Sequence, residues 1–355
     1  MKNKKKVISL ILAVLMLVSL TLITGCSSGS EPAGSEAPGG EGGGASLQGK
    51  NIEQESLKIA FIPLSTSGVA CAMELKGMED QLSVYPNIEL VTFDPQYDPS
   101  KQVAMIEECI TQGFDAILIE PMDPETVGIA IKNAEDAGIP VCTVNLQVSQ
   151  PHALGIKGSD YMAGQVGAEE LCKLFNDKAN IVILDAPAAQ MASVRYSAGF
   201  EDYLKENNKT EMKIIDYQNI DNWSVDIANQ VMRDLITKHG DNIDAVFAAS
   251  DDLALGAVQA IQAAGKTGKI KVWGAGGFPN ALKAIKDGSM YGTSFMDYYQ
   301  ELSTAILMTL YCVQTGLTYQ TAGFTETPII QTPAFACTAE NVDEIIATSR
   351  QSQLQ

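Results

Sequence analysis

From Leu57 onward the chain alternates short apolar runs with amphipathic stretches, and this rhythm limits the fold more than any other feature. Leu57-Lys58-Ile59-Ala60-Phe61-Ile62 reads as a buried strand, followed by a helical stretch to about Leu82. Residues 88–93 read as the next strand. Asp98-Pro99 then supplies an N-cap and a proline for the first helical position. Val103, Ile106 and Ile110 share one face, and Gly113 stops the helix. Residues 116–119 form a short central strand. A second capped helix begins at Asp123-Pro124, turns Val127, Ile131 and Ala134 inward and ends at Gly138. Residues 139–144 read as a fourth strand. The pattern then repeats, with strands at 181–184, 213–215, 245–248 and 270–273. Between them lie helices carrying Tyr196, Phe200, Tyr203 and Leu204, then residues 224–239, then 253–264. Such alternation implies parallel sheets covered by helices on both faces. There are too many units for one small sheet, so two α/β lobes are expected.

In sheets of this kind ligands bind beyond the carboxyl ends of the strands, where helix N-termini point. The loops to inspect are therefore 63–69, 93–99, 120–124, 145–148, 186–195, 249–252, 275–280 and 296–299.

Composition removes several functions. The 355 residues carry 24 Lys+Arg against 43 Asp+Glu, a formal charge of −19, which repels nucleic acid. The only histidines, His152 and His239, are far apart, so a His-based metal site or triad finds no support. There is no GxSxG nucleophile elbow. Gly274-Ala275-Gly276-Gly277-Phe278 lacks the GK[ST] of a phosphate loop and the Rossmann spacing. No catalytic residue, metal or cofactor is therefore expected, and nothing in these features points to an enzyme. Leaving Cys26 aside, the cysteines are Cys71, Cys109, Cys142, Cys172, Cys312 and Cys337. No pair has CxxC spacing and most sit in apolar patterns, which favours buried thiols.

The first residues read as an address. Lys2, Lys4, Lys5 and Lys6 precede an apolar run from Val7 to Leu22 that is short for a membrane span. The run ends in Ile23-Thr24-Gly25-Cys26, which resembles a bacterial lipobox. That resemblance implies a signal peptide over 1–25, cleavage before Cys26 and a lipid on its thiol. Removal of four lysines takes the formal charge from −19 to −23. Residues 26–54, rich in Gly, Ser, Glu and Pro, read as a lipidated cysteine and a flexible tether, because so few apolar side chains cannot offset ordering entropy.

Four strings carry a second resemblance. They are Asp94-Pro95-Gln96-Tyr97-Asp98-Pro99-Ser100-Lys101-Gln102, Ile119-Glu120-Pro121-Met122-Asp123-Pro124, Ile139-Pro140-Val141, and the run from Asp244 through Ser250-Asp251-Asp252 to Ala257. Together they resemble the periplasmic sugar-binding protein family of the ribose-binding type, the solute receptors of ABC importers, over about residues 57–346. The resemblance implies a type I periplasmic binding protein fold, with two Rossmann-like lobes and a three-strand hinge. The amino-terminal lobe would comprise 55–158 and 297–324, the carboxy-terminal lobe 159–296 and 325–355, with crossings near Gly158, Met296 and Phe324.

The same resemblance nominates ligand residues. Ser65 and Thr66 follow the first strand, with turn hydrogen bonding as their alternative role. Asn145 stands where the family often has Asp, and Leu146 replaces the Arg that follows. Arg195 matches a gripping Arg, although its spacing to Gly199-Phe200 is one residue long. Trp223 matches an aromatic ligand wall, whereas Trp273, inside a strand, reads as core. Ser250 and Asp251 occupy a family Asn-Asp position, and one of Asp251 and Asp252 is expected to cap the helix. Gly276 stands where Asp is usual. Met296 replaces Gln, and Asp297 offers a replacement acceptor. Cys71 and Ala72 stand where ribose-type members stack two aromatics. The ligand class implied is a sugar or sugar-like polyol, with a nucleoside, another carbonyl-bearing metabolite or an autoinducer-like molecule left open. The implied partners are an ABC permease and, through the lipid, the membrane, with the protein a monomer in the extracytoplasmic space. A second reading is a sensor presenting its bound state to a membrane kinase or chemoreceptor.

Overall fold

The computed structural model describes residues 49–188 and 195–354. The leader, Cys26 and the tether up to residue 48 lie outside the described residues. Among the latter are twelve strands: β1 (Leu57–Ile62), β2 (Ile88–Thr92), β3 (Ala116–Ile119), β4 (Val141–Val144), β5 (Leu154–Gly158), β6 (Ala179–Asp185), β7 (Met212–Asn219), β8 (Ala245–Ala248), β9 (Lys271–Gly276), β10 (Gly292–Phe295), β11 (Ile329–Thr332) and β12 (Phe335–Thr338). They form two sheets, ordered β11-β5-β4-β3-β1-β2 and β12-β10-β9-β8-β6-β7. All pairings are parallel except β10 with β12. The expected two-lobed α/β architecture is thus present.

Central strands such as β3 (AILI) and β8 (AVFA) are buried along their whole length, because helices cover both faces. Each sheet consequently has two apolar cores, one per face. Trp273, fully buried in β9, fills one of them and donates Nε1–H to Ser294 Oγ at 2.9 Å. Helix boundaries follow local chemistry. Asp98 accepts from the N–H groups of Ser100 and Lys101, Pro99 opens the helix Pro99–Gln112, and Gly113 closes it in the left-handed region. Asp123 accepts from the N–H groups of Glu125 and Thr126, so the helix Thr126–Asp136 starts a little later than the sequence suggests.

Three passages join the sheets. β5 leads through Gly158-Ser159 into the helix Asp160–Phe175, which packs on β9, β10 and β12. β10 leads through Met296-Asp297 into the helix Tyr298–Thr315, which packs on the helix Val69–Leu82 and on β3, β4 and β5. The third passage was expected near Phe324. It falls instead at Pro333-Ala334, because β11 still pairs with β5 before β12 joins the other sheet. The tether boundary also moves. Lys50 N–H bonds to Val313 O, and Ile52 is buried in the first lobe's core, so ordered chain begins before the expected Gln54.

Candidate functional site

The carboxyl ends of the two sheets flank a cleft of about 870 Å³, counting its part open to solvent. Every inspected loop contributes to its wall except 186–195, of which residues 189–194 lie outside the described residues. Gly158, at the first passage, forms part of the same wall.

The wall of the first sheet begins with a scaffold. Gln102, fully buried in the helix Pro99–Gln112, donates to Pro63 O (3.3 Å) and Glu120 O (2.7 Å) and accepts from Met122 N–H (2.9 Å). One side chain thus ties the loop after β1 to the loop after β3. Glu120, now fixed, accepts from Leu64 N–H at 3.0 Å and from Asn145 Nδ2 at 2.6 Å. Asn145 gives its second amide hydrogen to Glu74 Oε1 at 2.9 Å. Its φ of 56° is left-handed, a region Asn tolerates better than most residues. Glu301, from the helix Tyr298–Thr315, completes the group and accepts from Thr332 Oγ1.

Glu74 and Glu301 are fully buried, and desolvation dominates their acidity. Burial, with Glu120 and Glu301 nearby, holds the Glu74 carboxyl well above the usual range. Burial and Glu120 push Glu301 up to about 8. Burial also raises Glu120, but bonds from Asn145 and Leu64 offset part of that rise. Glu74 Oε2 stays buried without a hydrogen-bond partner among the described residues.

The wall of the second sheet is built differently. Trp223 follows β7 in a tight turn, its φ at 53°, and its half-buried ring packs against both cores of that sheet. Phe278 and Tyr298 meet at 5.8 Å between ring centroids, and Tyr196 lies beside them on the cleft. Ser250 caps the helix Asp251–Ala263 by accepting from Asp252 N–H. Asp252 lines the cleft, and burial pushes its carboxyl up to about 6.

Of the residues nominated from sequence, Ser65, Asn145, Trp223 and Ser250 line the cleft. Thr66 does not; its N–H is held by Asp94 Oδ1 at 3.1 Å in the loop. Arg195 is exposed, with its guanidinium 4.7 Å from the Tyr161 ring centroid and its backbone N–H on Asp160 Oδ2. Asp251 points into the lobe, where Thr293 Oγ1 and Phe278 N–H both donate to it at 2.7 Å. Its neighbour Asp252 faces the cleft instead. Gly276 lies behind the wall. Its φ is +134°, and an added Cβ would come within 2.9 Å of the Phe278 ring, so the glycine lets that ring fold back towards the ligand space. Asp297 caps the helix Tyr298–Thr315 and accepts from Ser349. The substituted positions Cys71, Leu146 and Met296 all line the cleft.

Sequence reasoning missed Tyr97, Glu120, Asp160, Tyr196, Asp252, Phe278 and Tyr298 as lining residues. Their signal was loop position: Tyr97, Glu120, Asp252, Phe278 and Tyr298 all fall in the post-strand loops. Among the described residues, the cysteines other than Cys26 are free and buried, and no cluster suited to a metal ion occurs.

Two sheets joined by three passages, with a cleft lined from both sides, define a two-lobed solute-binding protein. The chain belongs to the periplasmic binding protein domain family, whose model matches residues 59–316. It is 32% identical over 272 residues to the xylitol-binding protein of Mycolicibacterium smegmatis, covering 76% of this chain and 74% of that protein. It is 31% identical over 207 residues to the ribose import binding protein of Escherichia coli, covering 58% and 67%. Its fold matches the Caulobacter myo-inositol binding protein with a TM-score of 0.75 at 21% identity, over 86% of this chain and 100% of that one. A solute-binding protein of Bacillus halodurans with bound myo-inositol matches at a TM-score of 0.73 and 24% identity, over 84% and 99%.

Proposed function

We propose that this protein is the receptor of an ABC importer and binds a sugar or polyol between its lobes. The observation that carries this reading is the two-sided cleft. One side offers Ser65, Glu120 and Asn145, the other Trp223, Ser250, Asp252 and Phe278. A sugar presents C–H faces to aromatic rings and hydroxyls to carboxylates and amides, and this wall supplies both kinds of surface. The relatives include proteins named for xylitol and ribose. Closure of the lobes would swing about the passages at Gly158-Ser159, Met296-Asp297 and Pro333-Ala334. A ligand drives closure only through contacts it gains in the closed form.

Delivery to a permease requires the receptor to stay near the membrane. The lipobox-like Ile23-Thr24-Gly25-Cys26 supports a lipid on Cys26, with residues 27–48 as tether. The acidic surface is repelled by anionic headgroups, so the lipid does the holding. A thermal-shift panel of pentoses, hexoses, pentitols and inositols on the full chain tests the ligand class, since binding to the folded state raises Tm. At least one member is expected to raise Tm by several degrees; no shift from any at millimolar concentration rejects the reading. Cys26→Ser is expected to abolish lipid labelling, and persistent labelling would reject the anchor.

A further inference from the structure

The cleft wall is rich in acceptors and poor in positive charge. Glu120, Asp160 and Asp252 line it, while no Lys or Arg does so among the described residues. Two of these carboxylates are compensated. Asp160 has Lys157 Nζ at 3.2 Å and Arg195 N–H at 2.6 Å. Glu120 has the Asn145 amide and Leu64 N–H. Asp252 is different: among the described residues no donor or cation meets its carboxylate. The helix Asp251–Ala263 does not need it for its cap, because Ser250 provides the cap and Asp251 binds Thr293 and Phe278.

Neighbouring groups sharpen the imbalance. Asn145 spends both amide hydrogens on Glu74 and Glu120 and keeps only its Oδ1, which lies on the Gly158 side. Tyr97 feels negative charge from Glu120 in its own lobe and from Asp252 in the other. Tyr97, Tyr196, Trp223, Phe278 and Tyr298 supply ring faces, which attract cations through their quadrupoles. A neutral sugar enclosed here would desolvate the Asp252 carboxylate with no counter-charge, at a cost that an ammonium group offsets. Elsewhere the wall still suits hydroxyls. Gly68 begins the helix Val69–Leu82 without a side-chain cap, leaving backbone N–H groups at the cleft for ligand oxygens.

We infer that the ligand is an amino sugar or aminated polyol, with its ammonium beside Asp252 against the aromatic wall and its hydroxyls towards the first lobe. This deepens the sugar or polyol reading above and rests on it. The test is calorimetric titration of the full chain with matched pairs: glucosamine and glucose, galactosamine and galactose, mannosamine and mannose, aminoinositol and myo-inositol. At neutral pH the amine member of at least one pair is expected to bind tenfold or more tightly than its neutral partner. Asp252→Asn is expected to reduce that ratio at least tenfold, with Asp252→Ser as a second variant and the unliganded Tm as a check on folding. If neutral members bind as tightly as their amines, or the ratio survives both substitutions, the ammonium inference fails and the sugar reading stands. If no member of any pair binds, both fall.

Discussion

On the first lobe's side of the cleft, Asn145 divides its amide between Glu74 and Glu120 while Gln102 pins two loops from beneath. On the second lobe's side, Trp223 and Phe278 are placed by packing and by one buried anchor, Asp251, while the carboxylate of Asp252, which also reaches the ligand space, has no partner among the described residues. The first wall is a buried hydrogen-bond network in which each member depends on the others. The second is an apolar surface with an uncompensated charge. On the proposed reading the first contributes fixed geometry and the second contributes selectivity. Substitutions should damage the first through folding and the second through binding.

The largest expected effect breaks the network. Asn145→Ala removes the donor shared by two buried carboxyls and should cost about 3 kcal/mol of stability by urea unfolding. A loss below about 1 kcal/mol would show that the first wall is not held this way. Next come the adjacent aspartates. Asp251→Ala leaves Thr293 and Phe278 N–H without their acceptor and should cost about 2 kcal/mol. Asp252→Ala should change stability by no more than about 0.5 kcal/mol, because its carboxylate has no protein partner among the described residues. Equal losses would erase the contrast between anchor and contact.

The third prediction is a pH slope. The folded-state carboxyls of Glu74 and Glu301 are raised, the latter to about 8 from an ordinary 4.5. Between those values the folded state holds more protons than the unfolded one, so stability falls as pH rises. It is greatest below about 4.5 for these groups and is lost through about 8. Melting curves from pH 5 to 9 should show Tm falling, and Glu301→Gln should flatten the fall. A Tm that rises over that interval contradicts the assignment. The last expected effect, at Trp223, falls more on binding than on folding. Its half-buried ring makes Trp223→Ala cost about 1 kcal/mol of folding energy but about 2 kcal/mol of ligand binding. The reverse ratio would make it a core residue.

The sequence revealed what local chemistry encodes. The capped helix Pro99–Gln112 and the buried strands β1, β3 and β8 were legible because proline, aspartate, glycine and apolar runs act within a few residues. β5, β10 and β12 were not. They are short, carry glycine or small polar residues and gain strand character only from their neighbours in the sheet. The third passage was misplaced for the same reason: β11 is an exposed edge strand whose pairing to β5 is long-range.

The site divided similarly. Loop position marked nearly the whole cleft, since strand ends and helix starts converge there. Side-chain direction was less legible. Asp251 and Asp252 are consecutive, and only the tertiary anchor at Thr293 and Phe278 decides which one turns inward. Arg195 matched a family position, yet its guanidinium rests on Tyr161 outside the cleft. The glutamate network was illegible because Glu74, Glu120 and Glu301 come from three distant segments.

The claim beneath all of this is that ligand is held by both walls at once. Hydrogen exchange, with and without the tightest ligand of the panel, tests it directly. Amides of residues 69–71 at the start of the first lobe's helix and of residues 250–252 at the start of the second lobe's helix should both slow, together with those around Gly158. Protection confined to one lobe, or absent from both helix starts, would contradict the account.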